Sequence, residues 1–178
     1  MGKIITGKRL ENEAQLAENY IRIYILFPSG LLGLLTMVIG VVALVYQFFF
    51  DTYDVWTFGN SSGLIAAGIV LGWGQTRYHR YIFRTVPEFW ARRMRASAVR
   101  GAQRFKKRPP DVELRHAGRQ FVPLAYFLGI GGLVGLSVWS FSSGSLGYMA
   151  AFALPWAGFF WGKLFTWHSV ISPSGRSR

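Results

Sequence analysis

The residues in this chain best suited to hold a cofactor are its three histidines, His79, His116 and His168. Neutral imidazole can ligate haem iron, or in principle a chlorophyll magnesium, and convergent histidines from separate helices would form such a site. Each histidine sits at the edge of an apolar stretch rather than within it, so a polar residue at a wet boundary is the simpler account. His79 and His168, which directly follow apolar stretches, are the candidate ligands. The expectation is no cofactor and no metal, with haem or chlorophyll as the alternative. The absence of cysteine excludes a disulfide framework, thiolate metal sites and a cysteine nucleophile. Asp51 and Asp54 are three residues apart in a short connection, where a solvated loop accounts for them. No paired carboxylates, metal-binding helix motif, phosphate-cradling loop or Ser/His/Asp grouping accompanies the apolar stretches. The chain is expected not to be an enzyme.

A second group of residues suits close packing. Gly59 and Gly63, Gly68 and Gly72, Gly131 and Gly135, and Gly158 and Gly162 are each four apart, while Gly30, Gly33 and Gly40 line one side of an earlier stretch. In lipid, small residues at this spacing let two helix backbones approach closely. The four pairs are expected to form helix-packing or partner interfaces, some within the chain and some facing outward.

The elements that must position these residues are membrane helices. The 178 residues carry a formal charge of +12, yet half of them are hydrophobic. Of the 20 Lys and Arg, 4 lie in residues 1–22 and 13 in residues 76–119; the others are Lys163, Arg176 and Arg178. Segregation of this kind belongs to membrane topology. Residues 23–50 contain no Asp, Glu, Lys, Arg or His, and as a helix of about 40 Å they exceed a hydrocarbon core of roughly 30 Å. Further spans are expected over 55–75, 121–141 and 147–167. The fold class is therefore all-α: a polytopic membrane protein with four transmembrane helices arranged as two hairpins and a basic amphipathic interfacial helix between them.

Five segments follow: an amphipathic N-terminal segment, 1–22; hairpin one, 23–75; a basic loop, 76–119; hairpin two, 120–168; and a tail, 169–178. In the first segment Leu10, Ala14, Ala17 and Ile21 recur at helical spacing, with Glu11, Glu13 and Glu18 on other faces, and Pro28 marks the start of the first span. No cleavable signal peptide is expected, because the polar leader is followed by too long an apolar run. The connections 51–54 and 142–145 contain no Lys or Arg, whereas 76–119 is strongly basic. Basic loops stay inside, so that loop and both termini are expected to be cytoplasmic.

Within the basic loop, Thr85-Val86-Pro87-Glu88 reads as a capping box with Pro in the first turn. Trp90, Met94, Ala98, Gly101 and Phe105 follow at helical spacing, and Pro109-Pro110 ends the helix. Arg92, Arg93, Arg95, Arg100, Arg104, Lys106, Lys107 and Arg108 supply a surface for anionic lipid or an acidic partner. Nucleic acid is not an expected partner, because the aromatics lie on the apolar side and not among the arginines.

The spans contain no acidic residue and only Lys163 as a basic one, which argues against an ion path through this chain. The expected function is that of a non-catalytic accessory or structural subunit of a larger integral membrane complex, for example a respiratory or photosynthetic electron-transfer assembly. Its expected partners are other integral membrane subunits, with a hetero-oligomer preferred to a homo-oligomer. Two alternatives are carried: a pigment- or haem-holding membrane subunit, and a lipid-interacting, membrane-shaping homo-oligomer.

Overall fold

An apolar segment in lipid must satisfy its backbone internally, and a helix does so within one stretch of chain. The computed structural model describes residues 13–50, 52–85, 87–100 and 121–171, and every element among them is helical. Helix α1 runs Glu13–Phe49, α2 Val55–Thr85, α3 Pro87–Arg100, α4 Phe121–Ser142 and α5 Tyr148–Ile171. Three of these, α1, α2 and α4, are long and apolar enough to cross a membrane. Helix α5, at 24 residues, is also longer than α4, but Pro155 and Lys163 lie within it.

The N-terminal segment and the first apolar stretch form one helix. Pro28 has no N–H for the carbonyl four residues earlier, and its ring crowds that turn. The chain responds with a π-helical turn over Arg22–Leu26, in which the Phe27 N–H reaches back to the Arg22 carbonyl. A widened turn of this kind is a recognised way to pass such a position without breaking the helix. On the segment before it, the buried residues are Glu13, Ala17 and Ile21, while Ala14 is exposed. Glu13 thus shares the inward face with Ala17, one turn away, and is not on the polar side that the spacing predicts. Its carboxylate is paired with Arg95 of α3 at 3.4 Å.

Helices of 37 and 31 residues are about 55 and 46 Å long, so α1 and α2 both exceed a hydrocarbon core of roughly 30 Å. Beyond Gln75, α2 continues through Arg77, His79, Arg80 and Arg84. Helix α3 packs on these extensions: Ala17, Ile82 and Trp90 form a buried cluster flanked by Tyr20, Tyr78 and Phe89. Its apolar residues Trp90 and Ala91 are covered by protein, and Arg92, Arg93 and Arg95 are exposed. Thr85 does not cap α3; its hydroxyl donates back to the Tyr81 carbonyl at 2.9 Å and closes α2.

Helix α5 is the centre of the molecule. It packs most extensively on α2 and α1, and less on α4. Ala150, Ala151, Leu154, Ala157 and Trp167 are fully buried on it. The connection α4–α5 turns on Gly144, whose φ of +74° is the left-handed conformation glycine adopts without strain.

Candidate functional site

The glycine pairs separate into two groups. Gly68 and Gly72 of α2 face Gly158 and Gly162 of α5. A Cβ at Gly68 would strike the Pro155 carbonyl and the Phe159 amide, and one at Gly72 the Phe159 carbonyl. A Cβ at Gly158 would strike the Ile65 carbonyl, and one at Gly162 would lie 2.7 Å from the Ile69 carbonyl. In every case the obstacle is backbone, so these four residues let the two main chains touch. On α1, Gly33 and Gly40 face Phe160 and Leu154 of α5. By contrast, Gly59, Gly63, Gly131 and Gly135 have nothing within 4 Å of an added Cβ.

At the end of the bundle holding the two short connections, polar groups tie the loops together. Asp54 caps α2: its Oδ1 accepts the Thr57 N–H at 2.7 Å and lies 2.8 Å from the Thr57 hydroxyl. These two bonds, the backbone one foremost, hold the Asp54 carboxyl below its usual pKa of 3.8. Thr57 is buried, and its hydroxyl also lies 2.8 Å from the Ser145 carbonyl. Asn60 donates to the Ser145 hydroxyl at 2.7 Å. Asp54 is therefore a cap, a role its place in a short charged loop conceals; the D-x-x-T spacing ahead of an apolar run is the signal that reveals it.

At the opposite end, His79 lies between elements. Its Nε2 is 2.8 Å from the Tyr126 hydroxyl of α4, and its ring meets Trp90 of α3 edge-on with centroids 5.6 Å apart. Nδ1 is buried without a hydrogen-bond partner. The imidazole thus joins α2, α3 and α4, and a ligand on Nε2 would have to displace Tyr126. No second candidate ligand can be placed beside it, since His116 and the His168 side chain lie outside the described residues. Of the basic set, Arg92 pairs with Glu88 at 3.7 Å, Arg95 with Glu13, and Arg93 stacks over Phe89 with its Cζ 4.4 Å from the ring centre. The Arg100 side chain and Arg104, Lys106, Lys107 and Arg108 lie outside the described residues.

A lateral groove of about 450 Å³ separates α2 from α4, with a wall that is almost wholly apolar. Leu71, Trp73 and Gln75 of α2, Tyr126 and Gly129 of α4, and Phe159 of α5 line it. The Gln75 Oε1 is buried there without a partner. Two cations flank the lining: the Arg77 Cζ is 5.2 Å from the centre of the Trp73 ring, and the Lys163 Nζ is 5.1 Å from that of Phe159. Sequence reasoning names Lys163 only as the one basic residue within the expected spans and does not find the groove, which depends on how far α4 stands from α2. The arrangement can accept an apolar chain and an anionic group; among the described residues no group of three His, Asp or Glu is placed to hold a metal. Comparison with family models, with curated proteins and with solved structures finds no match to this chain.

Proposed function

We propose that this chain is a non-catalytic accessory subunit of a larger integral membrane assembly, crossing the bilayer four times with α5 as the fourth, central span. Lys163 stands near the α3 end of α5, where a lysine can extend its ammonium to the interface. The side with α3 and the basic residues is the cytoplasmic one, by the preference of Lys and Arg for that side.

The observation that carries the subunit reading is the uneven use of glycine. Gly68 and Gly72 of α2 and Gly158 and Gly162 of α5 are consumed by a backbone contact, while Gly59 and Gly63, also on α2, face open space. On α4, Gly131 and Gly135 face open space, and only 11% of the apolar window of that helix is buried, against 28% for α2. Glycine loosens a helix and gains nothing from lipid, so an outward pair four apart is best explained by a second helix that approaches there. A partner of different sequence is preferred, because α5 already occupies the complementary glycine face of this chain. Bioenergetic assemblies are one home for small polytopic subunits of this type.

Extraction in mild detergent tests this. The chain should migrate in a particle far above its own 20.1 kDa, and Gly131→Leu with Gly135→Leu should release it from that particle while its own fold persists. Recovery of the native chain as a lone monomer would remove the proposal.

A further inference from the structure

The lateral groove has a shape and charge that the packing of the bundle does not use. Its α4 lining runs from Val122 to Leu133. Twelve helical residues rise about 18 Å, close to half of a hydrocarbon core of roughly 30 Å. The groove is therefore one leaflet deep. Towards the short connections it ends where Leu133, Ser137 and Ser140 of α4 become buried. A transmembrane helix of a partner would cross both leaflets and does not fit a cleft closed halfway; an acyl chain does. The volume of about 450 Å³ lies within the range of roughly 300–1,000 Å³ of small-ligand sites. Gly74, in the lining, has nothing within 4 Å of an added Cβ, so the space is open there.

The charge selects the headgroup. Arg77 and Lys163 each stack on a ring that lines the groove, one from α2 and one from α5. None of the lining residues is a carboxylate. Cations at the mouth of an apolar slot match a phosphate ester attached to a hydrocarbon tail. We propose that the groove between α2 and α4 binds one acyl chain of an anionic phospholipid, whose phosphate is held by Arg77 and Lys163. The site rests on the membrane placement proposed above but not on the existence of a partner subunit, so it stands if the chain proves monomeric.

The test uses the full chain in nanodiscs of phosphatidylcholine carrying a trace of phosphatidylglycerol with a photoactivatable acyl chain. An equal trace of labelled phosphatidylcholine forms the second arm. Cross-linked peptides should map to 70–78 and 122–133, with phosphatidylglycerol favoured about thirtyfold, the scale set by two interfacial cations at ~1 kcal/mol each. Gly74→Leu, which fills the slot, should abolish labelling at both segments, whereas Gly131→Leu on the opposite face should leave it intact. Arg77→Gln with Lys163→Gln should keep tail labelling but remove the preference for phosphatidylglycerol, and this variant decides the matter if Gly74→Leu does not fold. Equal labelling by the two lipids in the native chain would overturn the headgroup assignment. Labelling spread evenly along α1, α2 and α4, or undiminished in a folded Gly74→Leu chain, would overturn the site.

Discussion

At the scale of single residues, the chain distinguishes glycines that its sequence presents alike. Gly68 and Gly158 touch backbone across α2 and α5, while Gly131 touches nothing. Adding one methyl group to either of the first two forces main chains apart. Gly68→Ala and Gly158→Ala should each cost about 1–3 kcal/mol, the usual range for overpacking a tight contact; Gly131→Ala should be close to neutral. Thermal unfolding of the three variants in one detergent checks this, and equal effects would contradict the interlocked seam. The four-residue spacing of all these pairs is legible in the sequence. What is not legible is rotation about the helix axis, because it depends on which neighbour each face meets. His79 shows the same limit. Its position at the edge of an apolar stretch can be read directly, but its contact with Tyr126 spans 47 residues of sequence. Removing that hydroxyl by Tyr126→Phe should cost about 1 kcal/mol, the net worth of an ordinary hydrogen bond, in the same unfolding assay.

Asp54 gives a prediction in pH. Its carboxyl is held below the ordinary value by the Thr57 N–H and hydroxyl. A depressed folded-state pKa means the cap stabilises fully above the unfolded value of 3.8 and is lost as the pH falls through the lower, folded one. Protection of the Trp56, Thr57 and Phe58 amides from hydrogen exchange, taken relative to the intrinsic rate at each pH, should therefore fall as acid protonates Asp54. The same loss should be absent from Asp54→Asn, which keeps an acceptor oxygen without a titrating group. Protection that stays constant through the titration in the native chain would contradict the cap.

At the scale of elements, periodicity and charge give the existence of the helices but not all their limits. A polar leader, a proline and an apolar run read as two pieces; the π turn over Arg22–Leu26 makes them one helix. The apolar content of α2 falls away after Gln75, yet the helix continues to Thr85 because Tyr78, Ile82 and Phe83 have α1 and α3 to pack against. Propensity and hydropathy do not contain that partner. Ser61-x-Gly63-x-x-Ala66-Ala67 and Ser145-x-Gly147-x-x-Ala150-Ala151 match in residue type but occupy different places in the structure. Ser61 lies inside α2 whereas Ser145 precedes α5, and Ala66 is exposed whereas Ala150 and Ala151 are fully buried. For α3, Trp90 is the anchor. Trp90→Ala should cost about 3–5 kcal/mol, the range for large-to-small changes at buried aromatics. It should also expose 87–95 to protease before the rest of the chain unfolds. Unchanged protease resistance would mean that α3 is held by something other than its docking on α1 and α2.

At the scale of the whole molecule, the one long helix without an apolar window to match those of α1, α2 and α4 is the one the others surround. Pro155, Lys163 and a high content of Gly and Trp lower the hydropathy of α5, and burial among α1, α2 and α4 makes those residues tolerable there. Mean hydropathy counts side chains and not neighbours. The proposed fourth crossing by α5, returning the chain to the side it started from, is open to a direct test. The absence of native cysteine permits single-site labelling with a membrane-impermeant maleimide. Ser143→Cys should react from outside intact cells, while Arg92→Cys and Ile171→Cys should react only after permeabilisation. Reaction of Ser143→Cys and Ile171→Cys from the same face would place both ends of α5 on one side and contradict the account.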